Sequence, residues 1–304
     1  MEKETKKTAI KEEPVFESPA LPAHALEIYQ AREYFIAVHN DMVQKQIFAP
    51  DKNAGNSMTT VEEKILAYLF SKIKPDATEL EPITLDIKTF CEVCGISRGP
   101  TDNWYPFIKA AITRLARRLM WLQDRETGKE SIFRYIDDAI IEKKNGKVEI
   151  ILSKKLSPFL LGLSGNYFQY SYHNILAMKS RYGIMLYKIL KSYSFRYPSV
   201  KFYIEDLKIS LDATSSSYSN FANFKKKVLD PALEDINTFS DLQVKAEYVK
   251  TGRSFTHVIF TIKDLQKSND PEVWHEARRR YENVEKVIDP NQYILDGYID
   301  LDLP

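Results

Sequence analysis

ITLDIKTFCEVCGI (Ile83 to Ile96) lies over VKFYIEDLKISLDA (Val200 to Ala213) without a gap when the chain is shifted by 117 positions. Ile83 falls on Val200, Leu85 on Phe202, Ile87 on Ile204 and Phe90 on Leu207. The same shift carries Phe107 onto Phe224, Lys109 onto Lys226, Ile112 onto Leu229, Ala116 onto Leu233 and Leu119 onto Ile236. The agreement is in apolar pattern more than in identity. A gapless match across two elements points to one architecture used twice.

Each copy predicts the same element order. In the first, a helix runs from Thr60 to Lys74, with Thr59 or Thr60 as N-cap and Glu62 and Glu63 shortly after, and Pro75 ends it. A short extended piece (Ile83, Leu85) leads into a small helix, Ile87 to Cys94, stopped by Gly95. After Gly99-Pro100 a longer helix is expected from Asp102 to Met120. Two strands follow, Ser131 to Lys143 and Lys147 to Ser153, joined by the hairpin signal Asn145-Gly146. In the second copy a helix is expected from Tyr172 to Tyr193, a strand from Lys201 to Tyr203, and a small helix from Ile204 to Leu211. The loop DATSSS, a long helix from Ser219 to Asn237, and strands Leu242 to Lys250 and Ser254 to Ile262 complete it.

Helix, short strand, helix, turn, helix, hairpin is the order of a winged helix-turn-helix, whose third helix enters the DNA major groove with the hairpin as a wing beside it. The expected fold is therefore α+β, with two tandem winged-helix domains. We divide the chain into an N-terminal extension (1–56, partly disordered), a first winged-helix domain (57–153), a second (154–263) and an acidic C-terminal extension (264–304).

Charge supports a polyanion partner only when it is counted in segments. The 304 residues carry 43 Lys+Arg and 42 Asp+Glu, a net of +1. Residues 1–40 are −2, 41–152 neutral, 153–263 +8 and 264–304 −5. Within the basic block, residues 153–227 hold 12 basic and 3 acidic groups. Such concentration is the footprint of nucleic acid, and a solvated lysine-rich face is the competing reading. The longest apolar runs, such as Ile65 to Phe70, are far shorter than the ~20 residues of a membrane span. The charged start MEKETKKTAIKEEP is not read as a secretion signal. Two Cys give no disulfide framework, and a reducing cytoplasm is the expected setting.

Three runs carry a resemblance to a known family: LSKKLSPFLLGLSGNYFQYSYHNILAMKSRYGIMLYKILKSY (Leu152 to Tyr193), SNFANFKKKVLDPALEDIN (Ser219 to Asn237) and YVKTGRSFTHVIFTI (Tyr248 to Ile262). Together they resemble the Rep_3 family of plasmid replication initiators. The likeness covers residues 57–263 and is strongest at FKKKVLDPALEDIN. It implies two winged-helix domains that bind tandem direct repeats (iterons) at a plasmid origin in double-stranded DNA and help open the duplex. It also implies recruitment of the host initiator and replicative helicase, a homodimer formed through the first domain, and repression of the protein's own promoter from an operator. A bacterial cytoplasm, with the protein on nucleoid or plasmid, goes with that. HNDMVQKQIFAP (His39 to Pro50) and the chain after Asp264 lie outside the resemblance.

The second long helix is the expected reader. Asn220, Asn223, Lys225, Lys226 and Lys227 occupy its first turns, opposite an apolar face of Phe221, Phe224, Val228, Leu229, Leu233 and Ile236. Asn223, Lys226 and Lys227 suit base edges, since Asn pairs with adenine and Lys donates to guanine N7/O6. Lys225 suits a phosphate, as do Ser217, Tyr218 and Ser219 before the helix. Pro231 is expected to kink or restart the helix, confining base reading to the residues before it. The wing tip Lys250-Thr251-Gly252-Arg253 is the second contact, with Arg253 in a minor groove or on a phosphate; a plain hairpin turn is the competing reading. Lys179, Arg181, Lys188, Lys191 and Arg196 are candidates for flanking backbone. In the first domain Lys109, Thr113, Arg114, Arg117 and Arg118 are candidates, the three arginines sharing a face by their spacing.

Signs of catalysis are missing. Cys91 and Cys94 form a CxxC with no further Cys to complete a zinc site, and buried helix packing is the expected role. The five His (24, 39, 173, 257, 275) contain no His-x-His pair. Gly128-Lys129 and Gly146-Lys147 have Gln123 and Ile141 where a phosphate loop needs Gly. Asp137 and Asp138 are neighbours on a strand and face opposite sides. The expectation is a non-enzymatic, cofactor-free DNA-binding initiator. A winged-helix transcriptional repressor and a nicking replication enzyme are the alternatives.

Overall fold

The computed structural model describes residues 34–47, 58–96, 104–123, 127–267 and 271–288. In chain order the elements are β1 (Phe35–His39), α1 (Asp41–Gln44), β2 (Gln46–Ile47), α2 (Thr60–Ser71), β3 (Ile83–Asp86), α3 (Ile87–Val93) and α4 (Trp104–Arg117). Then come β4 (Leu119–Gln123), β5 (Glu130–Arg134), β6 (Ile136–Glu142), β7 (Lys147–Leu152), α5 (Ser157–Leu160), β8 (Tyr167–Ser171), α6 (His173–Leu176) and α7 (Arg181–Ser194). The second half holds β9 (Ser199–Tyr203), α8 (Ile204–Ser210), α9 (Phe221–Phe224), a π-helical turn (Lys225–Leu229), α10 (Asp230–Phe239), β10 (Leu242–Thr251), β11 (Ser254–Asp264) and α11 (Pro271–Ile288).

The repeat is visible in the sheets. In the first copy the order is β3-β7-β6, in the second β9-β11-β10. The short strand pairs in each case with the second strand of the hairpin. Ile83 faces Ile150 and Leu85 faces Val148; at the shifted positions Val200 faces Phe260 and Phe202 faces Val258. Both sets point into the same buried cluster. The two copies are winged-helix domains.

Local chemistry explains several boundaries. Thr59 caps α2 through a full capping box with Glu62. Asp86 caps α3 by accepting Thr89 N–H at 2.8 Å. Gly146 sits at φ +69° in the β6–β7 turn, a conformation only glycine adopts freely.

Other boundaries differ from expectation. The helix expected over Asp102 to Met120 stops at Arg117, and Leu119–Gln123 is a strand paired with β5. Met120 and Leu122 are buried and Trp121 less so, which is the two-residue alternation of a strand. The single strand expected over Ser131 to Lys143 is two, β5 and β6, in different sheets. The helix expected over Tyr172 to Tyr193 breaks between α6 and α7. Asp235 on α10 explains the break: its Oδ2 accepts Lys179 N–H at 3.1 Å and Ser180 N–H at 2.7 Å, capping α7 from a neighbouring helix. Burial raises the Asp235 carboxyl above its ordinary value, and those backbone donors act against that.

Of the segment assigned to the N-terminal extension, residues 34–47 form β1, α1 and β2, and β1 pairs antiparallel with β8. The rest of that extension lies outside the described residues. The acidic C-terminal segment contains α11, whose Val273, Val284 and Ile288 are buried.

Candidate nucleic-acid interface

The interface is built from the helix that begins at Phe221. Asn220 caps it, its Oδ1 accepting Ala222 N–H at 2.7 Å. Phe224, Val228, Leu229, Ala232 and Ile236 are fully buried, which fixes the helix on the domain core. The opposite arc presents Asn223, Lys226 and Lys227, all exposed. Ser217 and Ser219 in the preceding loop are exposed as well. Tyr218 is half-buried, its hydroxyl 3.3 Å from that of Tyr182. Burial, and then that hydrogen bond, push the Tyr182 hydroxyl up to about 12, so it remains a neutral donor.

At Pro231 the α-helix restarts, as expected, with the proline in its first turn, but the chain does not leave the helix. The backbone widens into the π turn at Lys225–Leu229, where Asp230 N–H bonds to Lys225 O. Proline supplies no N–H and its ring crowds the carbonyl four residues back. A wider turn relieves both, and such turns recur at functional sites.

Aromatic packing ties the wing to this helix. Phe221 stacks on Phe255 of β11 at 4.2 Å and meets Tyr248 of β10 edge-on at 5.4 Å. Beyond it the tip turns at Gly252, φ +64°, leaving Arg253 exposed. Lys250 is exposed with its ammonium 4.6 Å above the Phe255 ring. Helix and wing are thus joined by one aromatic cluster, while the loop is held by Tyr218 against Tyr182.

Lys225 is the exception within this group. Its ammonium lies 2.7 and 2.9 Å from the two Asp230 oxygens and 5.5 Å from the Tyr248 ring. Asp230 is a competitor for any phosphate at Lys225.

Four other candidates are used internally, among them Arg181, whose guanidinium donates to Met58 O at 3.3 Å, Asp212 O at 3.1 Å and the Tyr182 hydroxyl at 2.7 Å. Lys191 is buried and bridges Asp241 (2.6 Å) and Asp264 (3.0 Å), so it holds the domain together and does not face DNA. Lys188 pairs with the buried Glu63 on α2. Arg118 is buried one residue beyond α4, 3.8 Å from Asp212, which also accepts from Arg181 at 3.3 Å. It therefore does not share a solvent face with Arg114 and Arg117, contrary to the expectation from spacing, because the helix has already ended. Arg196 stays exposed, donating to Gly165 O at 3.2 Å.

In the first domain Lys109 and Arg117 are exposed on α4, and Arg114, also exposed, grips the buried Glu62. Sequence reasoning missed Lys143. Its ammonium and that of Lys109 each lie 5.9 Å from the Tyr105 ring, so the first wing and the first long helix converge there. The repeat concealed it, because a shift of 117 places carries Lys143 onto Phe260 and not onto the second wing tip. Its place beside the Asn145-Gly146 turn was the signal that could have found it.

Cys91 and Cys94 are buried in helix packing, Cys94 Sγ lying 3.0 Å from the Tyr172 hydroxyl. Among the described residues no group of three His, Cys, Asp or Glu is placed to hold a metal. No helix among them is long and apolar enough to cross a membrane.

Two winged helices, the second with exposed lysines on its long helix and wing, define a DNA-binding protein. Comparison with known families gives the more particular assignment. The family model described as initiator replication protein, WH1, matches residues 39–191, and that described as initiator Rep protein, WH2, matches residues 203–262. The chain belongs to this family of replication initiators. A replication initiation protein of Escherichia coli is 22% identical over 253 residues, covering 80% of this chain and 75% of its own. The crystal structure of the Pi initiator protein in complex with iteron DNA matches with a TM-score of 0.61 at 13% identity, over 79% of this chain and 99% of that one. Domains 2 and 3 of RctB match more loosely, with a TM-score of 0.41 at 11% identity, over 68% of this chain and 82% of that one.

Proposed function

We propose that this initiator starts plasmid replication by binding direct repeats at its origin, with Asn223, Lys226 and Lys227 reading the major groove and Lys250 and Arg253 holding phosphates beside it. The observation that carries this is the aromatic cluster at Phe221, which packs helix and wing side by side. The family membership and the iteron DNA bound by the Pi initiator support the choice of target. Lys109, Lys143 and Arg117 serve the first domain's contact with flanking phosphates. In this reading the protein works by binding and duplex distortion, without catalysis or cofactor. It dimerises through its first domain, represses its own operator, and recruits the host initiator and helicase in the cytoplasm.

The test is a footprint of the full chain on its own origin. Protection of tandem repeats of roughly one to two helical turns supports the proposal; protection of a lone inverted repeat favours a repressor. Incubation with supercoiled plasmid and Mg²⁺ separates the third reading, because a nicked product would show catalysis.

A further inference from the structure

We propose that α11 is a brace that fixes the angle between the two DNA-reading domains, with Arg280 and Tyr281 as its positioning residues. The helix lies after both family matches yet touches residues inside each. Its inward stripe is Val273, Ala277, Arg280, Tyr281, Val284 and Ile288, at the three- and four-residue spacing of a helix face.

On the second domain, Arg280 is buried against the end of α10. Its Nη1 donates to Ser240 O at 3.1 Å and Leu242 O at 2.7 Å, while Nε donates to Glu276 at 2.8 Å. Ser240 is the C-cap of α10, the helix continuous with the reading turns. A guanidinium there satisfies the carbonyl at the helix C-cap, and one at the start of β10, and complements the helix's negative pole. Arg280 therefore grips the rear of the reading helix.

Two further contacts anchor the helix, one to α6 at the start of the second domain and one to the first domain itself. Tyr281 stacks on the buried His173 of α6, with ring centres 3.8 Å apart and planes 8° from parallel. At the far end Ile288 closes over Gly95, which ends α3. A Cβ at Gly95 would lie 2.5 Å from Ile288 Cγ2 and from its carbonyl oxygen. Gly95 adopts φ +62°, so it serves the turn and the close approach together. One helix thus spans from the back of the second reading helix to the helix-turn of the first domain.

Two linked DNA-binding modules gain affinity when their relative placement already matches the target. A brace would supply that placement before DNA arrives. Among the described side chains of α11, Arg278 pairs with Glu282 and Arg279 with Glu276. The acidic total of the segment therefore conceals a buried cation and an apolar stripe.

Spin labels at Glu149→Cys and Glu247→Cys, on exposed positions of the two wings, report the angle in the full chain; Cys91 and Cys94 are buried and stay unlabelled. A narrow distance distribution is expected for the parent and for Tyr281→Phe, which keeps the stacked ring. Arg280→Ala, Tyr281→Ala and Ile288→Ala should each broaden it. Parent-like widths in all three would overturn the proposal. Should an α11 variant lose its circular dichroism, Ile288→Ala decides, since it alters only the last turn.

The DNA arm rests on the origin-binding reading, whereas the distance arm does not, so their failures are separable. With the unlabelled chain, Tyr281→Ala should bind the origin repeat about tenfold more weakly. It should also discriminate less against a repeat lengthened by two central base pairs. Equal losses on both sequences would refute a positioning role.

Discussion

Replacing Lys226 and Lys227 together by Ala gives the most direct measure of the reading helix. Both ammonium groups are exposed, and neither forms an ion pair among the described residues, in contrast to Lys225. Their charge is therefore available to phosphate or to a guanine edge. Every phosphate that the variant leaves unneutralised should flatten the slope of log K against log salt by about 0.9, so the pair removes up to about 1.8. Between about 50 and 200 mM salt that amounts to a roughly tenfold smaller fall in affinity than the parent shows. The assay is a titration of labelled origin DNA at several salt concentrations, with the parent measured in parallel. A slope equal to the parent's would exclude both lysines from phosphate contact, whatever happens to the absolute affinity.

Asn223→Ala should cost about 1–3 kcal/mol on the specific repeat and little on random duplex, measured by competition; equal losses on both would contradict base reading. Asp230→Asn should release Lys225 and steepen the salt slope by up to about 0.9, while an unchanged slope would mean that Lys225 meets no phosphate. Lys191→Ala should destabilise the fold by about 3–5 kcal/mol in denaturant titration, because Asp241 and Asp264 are left buried without their cation. Burial alone would push Lys191 down, but the two carboxylates outweigh it and hold its pKa above 10.5. Its stabilising contribution is therefore complete below 10.5 and is lost as pH rises through the raised value. A parent protein whose stability is flat through that alkaline window would contradict this account.

Much of this architecture was written in apolar spacing. The shift of 117 residues anticipated that β3 and β9 would occupy equivalent sheet positions, because Ile83 and Val200 must each meet a partner across the ladder. The capping signal at Thr59 and the turn at Asn145-Gly146 depend on neighbours a few residues away, and such local chemistry is readable in one dimension. Lys191, Lys188 and Arg118 were not readable in the same way. Their fate is decided by Asp241, Glu63 and Asp212, which are distant in sequence and only the fold brings near. A lysine on an amphipathic helix looks solvated until its acid partner is located. The C-terminal helix failed for a related reason: a net charge of −5 over residues 264–304 averages away the stripe that packs.

Pro231 shows where a correct local rule meets a stronger constraint. A proline at that position forbids the ordinary helical bond, and a break was therefore expected. The core demanded continuity, because Phe224 and Val228 on one side and Ala232 and Ile236 on the other are all fully buried in one cluster. A break out of the helix would have carried one of these pairs out of the apolar interior, at a cost of about 2–5 kcal/mol for each large side chain exposed. A single wide turn satisfies both demands by accommodating one extra residue. It also leaves Lys226 and Lys227 exposed on the outer arc between Phe224 and Val228. Pro231→Ala should let that turn tighten to ordinary helix, rotating Asn223 and Lys226 relative to the wing anchored at Phe221. Origin affinity should then fall while thermal stability holds or rises, since alanine is the better helix former. Unchanged discrimination between origin and random DNA would show that the π turn is a packing solution alone.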